Sequence, residues 1–318
     1  MSIGEAIREG FALVHRNWQL VAIQALMAVT AVAGLLVMVG VPLALAFAML
    51  GMDVSDLAAL KDLLGDPEAL FSRYLAAALA VIAGLAAYVL FMLFLWVFVV
   101  GGSAGAIGLS LKDPARGFSL RAFCGEGGRL FFRLLGYGAI LLLAALGAFI
   151  LLAFLSGALT AAVSAAGDGS FLGRFLRVFV TLITAAGAAS IVFGLMSAAL
   201  AGLLPLFEGA GPLAALNRGV DYLKENPRAL GLYLLLFAGY FVASSALVAP
   251  GYALSERGLE AMPLYVLWQF MANIVEGYLC LVIMASAFAH HGGATAGSST
   301  QGTGTSQGAP GPGLPPPA

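Results

Sequence analysis

Charge is scarce in this sequence. Only 10% of its 318 residues are Asp, Glu, Lys or Arg, 61% are hydrophobic, and the mean hydropathy is +1.00. A soluble globular domain carries about a quarter charged residues, so that class is excluded and an integral membrane protein is indicated. The 15 basic and 16 acidic residues nearly cancel, to −1, and no basic run is dense. That argues against nucleic acid as a partner and against a polybasic lipid clamp.

Cysteine and histidine are also sparse. Cys124 falls in a predicted cytoplasmic segment and Cys280 in a predicted span, so no disulfide is expected between them. His15, His290 and His291 lack the spacing and co-ligands that zinc needs, so no metal or cofactor is expected, and the His290–His291 pair reads as an interfacial cap. The glycine-containing stretch "GGSAGAIGLSLK" fits neither the P-loop nor the dinucleotide fingerprint, and no GxSxG, HExxH or paired-acid motif occurs. The chain is therefore read as non-enzymatic. Ten-residue alternating segments are absent too, which excludes an outer-membrane barrel.

Long apolar runs are what remain. Six spans are predicted at 18–50, 72–100, 134–166, 172–206, 229–252 and 263–289, each long enough to cross about 30 Å of hydrocarbon as a helix. The N-terminal "MSIGEAIREGFALVHRNW" is acidic where a signal peptide is basic, so the first span is expected to be retained. Lysine and arginine number ten on the side holding the N-terminus and five on the other, which places both ends in the cytoplasm. An acidic connection, "GMDVSDLAALKDLLGDPEALFSR", joins spans one and two on the far side. Twelve arginines against three lysines, with abundant alanine and glycine, fit a GC-rich bacterial genome and hence a bacterial inner membrane.

A repeat lies under these spans. "EAIREGFALVHRNW" and "AALNRGVDYLKENP" align without gaps, matching Ala6 with Ala215, Gly10 with Gly219 and Asn17 with Asn226. The middle segment "LRAFCGEGGRLFFRLLGY" has the same amphipathic character, but its glycines do not align cleanly. Each piece shows a helical apolar stripe: Ile3, Ile7, Phe11, Val14 and Trp18 in the first, Leu120, Phe123, Leu130 and Leu134 in the second, Leu213, Leu216, Val220 and Leu223 in the third. Such helices lie in the headgroup plane, either as elbows feeding the next span or as a docking surface for lipid or a cytoplasmic partner. The expected fold is thus all-α, six transmembrane helices in three repeats of an elbow plus two spans (about 1–100, 117–206 and 212–289). Residues 1–291 form this domain, and 292–318 form a disordered Gly/Ser/Thr/Pro tail.

At "LLPLFEGAGPLAALNRGVDYLKENPRALGLYLLL" the sequence resembles a group of uncharacterised bacterial six-span inner-membrane proteins. They share this organisation with the membrane domain fused to some glycerophosphodiester phosphodiesterases. The resemblance implies a fold and a location; the catalytic barrel of those enzymes has no counterpart here, so no activity is carried over.

Two features inside the spans stand out. Ala186, Ser190, Gly194, Ala198 and Gly202 recur every four residues along span four, a small-residue strip suited to close helix packing, with a shorter version at Ala76, Ala80 and Gly84 in span two. In span six, Gln269, Asn273, Glu276 and Cys280 share one face, with Glu276 near the midplane. A central charge costs about 2.5–3.5 kcal/mol on insertion scales, so Glu276 is expected to face the bundle or a wet cavity, with Asn273 as its nearest helical partner and Gln24 as a cross-bundle candidate. It reads either as a protonated clamp between helices or as a proton or cation site of a small transporter. The function expected first is a non-catalytic membrane protein, acting as a scaffold, a binder of a membrane or cytoplasmic protein, or a lipid-interacting factor.

Overall fold

The computed structural model describes residues 1–50, 67–115, 117–165, 171–255 and 261–301, so the acidic connection from 51 to 66 and the tail from 302 lie outside the described residues. All regular structure in the described residues is helical: α1 (Ile3–Arg16), α2 (Gln19–Leu35), a π-helical turn (Leu36–Gly40), α3 (Val41–Leu50), α4 (Pro67–Lys112), α5 (Leu120–Ala165), α6 (Phe171–Phe207), α7 (Pro212–Glu225), α8 (Pro227–Ser255) and α9 (Met262–Gln301). Six of these stretches are long and apolar enough to cross a membrane, the arrangement of a multi-pass membrane protein. α9 continues through Gly292–Gln301, the first part of the segment expected to be disordered.

The core lies at one end. Buried side chains concentrate in the last turns of α4 and α6, in α9 between Leu281 and His290, and in the first turns of α5 and α8, all at the end where α1 and α7 sit. α4, α6 and α9 touch one another there. Towards the far end the spans diverge. The most apolar windows of α5 and α6 contain no buried residue at all, and side chains such as Leu142, Leu143 and Phe154 present their surface outward, as lipid-facing helices do.

Why α1 and α7 stop where they do is local chemistry. Ser2 and Glu5 form a capping box that starts α1: the Ser2 N–H donates to the Glu5 carboxylate at 2.7 Å, and the Glu5 N–H donates to Ser2 Oγ. These bonds hold the Glu5 carboxyl below its ordinary value. At the other end Asn17 turns back, donating from both N–H and Nδ2 to Leu13 O, and Asn226 does the same to Tyr222 O. Pro227 then opens α8 at a position where its missing N–H has no partner to lose.

The middle elbow departs from expectation. No break separates it from its span, and α5 runs unbroken for 46 residues. Leu134 stands where Asn17 and Asn226 stand in the other two segments, and nothing there stops the helix.

Span one carries the main irregularity. Pro42 has no N–H to offer Met38 O, and its ring would press on that carbonyl in a regular α-helix. The helix widens into the π turn just before it, and the freed Met38 carbonyl points at Gly84 of α4, where an alanine Cβ would collide with it.

Candidate functional site

The middle elbow buries most of its predicted apolar stripe, Phe123, Leu130 and Leu134, whereas α1 and α7 bury mainly a neighbouring face. In α1 the buried ridge is Ala6, Gly10 and Leu13; in α7 it is Ala215, Gly219 and Tyr222. Both follow the i, i+4, i+7 spacing of a single helix face. The predicted apolar stripes lie about a quarter turn away, at 100° per residue. Phe11, Trp18 and Leu213 are 43%, 61% and 60% exposed, whereas Ala6 and Ala215 are fully buried.

Small residues win the protein contact because they let backbones approach. Gly10 sits against Ser286 of α9, and Gly219 against Ala201 and Gly202 of α6. In the N-terminal turns of α5, Phe123, Gly127 and Leu130 form the equivalent ridge, packed on Phe98, Gly101 and Gly102 of α4. The glycines of "GGSAGAIG" therefore serve packing: a Cβ at Gly105 would strike Glu126, and one at Gly108 would strike Phe207.

Basic side chains tie this end together. Arg16 donates to Ser110 O at 2.8 Å and to Ser110 Oγ, and Arg129 donates to Phe207 O at 3.1 Å. Each thereby meets a carbonyl in the last turn of α4 or α6, where the helix dipole favours a cation. The Lys112 ammonium and Arg129 guanidinium also lie 5.1 and 5.4 Å from the Phe207 ring centre.

His290, expected as an interfacial cap, is instead buried. Its Nδ1 lies 2.5 Å from the Tyr222 hydroxyl, while the His291 ring stacks on the Tyr222 ring at 4.0 Å. Burial pushes the Tyr222 hydroxyl above its ordinary value, so it keeps its proton at neutral pH.

The small-residue strip of span four packs only where the helices converge. Ala198 is buried, and Gly202 meets the Tyr137 ring and Ala215 O. The Tyr137 hydroxyl donates to Ala198 O at 2.8 Å. Further out, Ala186, Ser190 and Gly194 are exposed; Ser190 Oγ bonds back to Ala186 O, and a Cβ at Gly194 would meet nothing.

On α9 the polar face divides. Gln269 and Asn273 are exposed, and Asn273 Nδ2 donates to Gln269 O in its own helix, so it is not the partner of Glu276. That partner is Ser244 of α8, whose hydroxyl donates to Glu276 Oε1 at 2.5 Å. Tyr240, one turn from Ser244, lies beside Cys280 and Ser244. Gln24 rests against Gly277, next to Glu276 in sequence, without bonding to the carboxyl.

Ile283 and Ala287 share the helix face of Glu276, at i+7 and i+11. Both pack with Ala201 of α6 and with Tyr233 and Leu236 of α8, so this face looks toward the seam between α6 and α8. The Phe193–Phe237 edge contact, 6.0 Å between ring centres, bridges that seam. Sequence reading missed Ser244 because a single serine in a span carries no periodic signal.

The chain matches no family model, no curated protein and no solved structure.

Proposed function

We propose that this is a non-catalytic, lipid-interacting protein of the bacterial inner membrane. Both termini lie in the cytoplasm, and the fold is three elbow-plus-two-span units. The observation that carries the reading is the division of labour on α1 and α7. The ridge is spent on protein contact, Val14 is buried with it and Ile3, Ile7, Leu216 and Leu223 pack partly against the core, while Phe11, Trp18 and Leu213 at the outer edge of the apolar stripe keep much of their surface exposed. A helix held sideways to its bundle with an apolar edge free is suited to immersion at the acyl–headgroup boundary.

The repeat is supported by the three ridges, each seated on an even-numbered span, and orientation by the bias of basic residues toward the elbow side. The resemblance to six-span inner-membrane proteins points the same way. Photoreactive side chains at Phe11, Trp18 and Leu213 in native membranes are expected to yield lipid adducts. One recurrent protein adduct at all three would move the reading to a scaffold, and labelling by solvent alone would end it.

The Ser244–Glu276 bond leaves two roles for Glu276, the clamp between α8 and α9 and, as a second reading, the polar site of a small transporter first sought at Gln269, Asn273 and Glu276. A carrier requires Glu276→Gln to abolish proton- or substrate-linked flux in liposomes with the fold intact. A clamp requires Glu276→Gln to be nearly silent and Glu276→Leu to lower thermal stability by about 0.6–2 kcal/mol. Flux unchanged in Glu276→Leu would remove the carrier.

A further inference from the structure

A groove of about 390 Å³ runs between α5, α6 and α7, within the roughly 300–1,000 Å³ range of small-ligand sites. Its chemistry is graded. The side toward the spans is apolar, with Leu141 of α5 and Leu195 of α6, and Val220 of α7 continues it upward. The rim on α7 is polar, with Asn217, Asp221 and Lys224. Ala144 of α5, which lines the groove, is exposed, so the groove lies open on its α5 side, along a helix whose surface faces lipid.

The rim carries one charge of each sign. Lys224 Nζ and Asp221 Oδ1 are 3.2 Å apart, and both side chains are mostly exposed, which leaves each able to take a new partner. Arg218 does not line the groove. The rim is therefore neutral overall but dipolar.

Resting on the lipid-interacting reading above, we infer that this groove holds a zwitterionic, amine-bearing glycerophospholipid. One acyl chain lies along Leu141 and Leu195, the phosphate meets Lys224 and Asn217, and the ammonium meets Asp221. A purely anionic headgroup would satisfy Lys224 but meet the Asp221 carboxylate unpaired, at a cost that like charges impose. A dipolar headgroup satisfies both.

The test uses the full chain in nanodiscs of equimolar phosphatidylethanolamine and phosphatidylglycerol, extracted gently and weighed intact by native mass spectrometry. The wild type is expected to retain phosphatidylethanolamine. Ala144→Trp, at an exposed position lining the groove, is expected to cut that retention about tenfold, equivalent to about 1.4 kcal/mol. Asp221→Asn is expected to shift the retained lipid toward phosphatidylglycerol, and Lys224→Gln to weaken retention of both. Thermal melting of each variant reports the fold separately.

Equal retention in wild type and Ala144→Trp, or phosphatidylglycerol as the preferred lipid of the wild type, would overturn the assignment. In either case lipid adducts at Phe11, Trp18 and Leu213 would leave the broader lipid reading standing. Loss of those adducts with groove retention intact would do the opposite.

Discussion

Alanine at Gly219 is expected to lower the stability of the protein strongly for a single added methyl group. A Cβ there would stand 2.7 Å from Gly202 N and 3.0 Å from Ala201 C, which are backbone atoms with no rotamer to change. Overpacking of this kind costs typically 1–3 kcal/mol and occasionally more, and the roughly 1 kcal/mol gained in helix propensity offsets only part of it. A net loss of about 2 kcal/mol is expected, read as a lower thermal midpoint and faster hydrogen exchange in α7.

Gly10→Ala should behave alike, since its Cβ would strike Ser286 Oγ and lie 2.8 Å from Ser286 N. Gly194→Ala is the control. With nothing within 4 Å, it should be neutral or slightly stabilising. Equal effects at all three positions would mean that the elbow ridges are not in close contact with the spans.

The second large effect is expected at Gly84. Its missing Cβ leaves room for the Met38 carbonyl, displaced from its helical partner by Pro42. Gly84→Ala should therefore cost about 1–3 kcal/mol. The cause can be separated by a double-mutant cycle. Pro42→Ala restores an N–H that can draw the Met38 carbonyl back into the helix, so Gly84→Ala should be milder in that background. A coupling of about 0.5 kcal/mol or more is expected. Strict additivity would show that the proline does not set the position of the carbonyl.

How far the sequence reveals this arrangement differs from residue to residue. The six spans are legible because lipid requires length and apolarity, which a composition window reads directly. The ends of α1 and α7 are legible because Asn17 and Asn226-Pro227 are specific stop chemistry. Hydrophobicity finds most of the packed face of the middle elbow, Phe123, Leu130 and Leu134, but not the glycine ridges of α1 and α7. A stripe search finds the largest side chains, whereas helix contact at close range selects the smallest, and the two faces differ by a quarter turn.

The strip on span four shows a related limit. Spacing tells which residues share a face, but the depth at which helices converge decides that Ala198 and Gly202 pack while Ala186, Ser190 and Gly194 do not. At the candidate site, helical spacing identifies Glu276 as the residue to follow. The partner comes from α8, and no pattern within one helix announces it.

The seating of α1 on α9 also sets a schedule. Gly10 leaves the ribosome first and Ser286 about 280 residues later, an interval of roughly 15–55 s at ordinary synthesis rates. Throughout that time the Ala6, Gly10 and Leu13 ridge has no final partner on α9. Insertion of span six is thus what completes the seat of α1. Any delay in its insertion leaves α1 open to misassembly or proteolysis for longer.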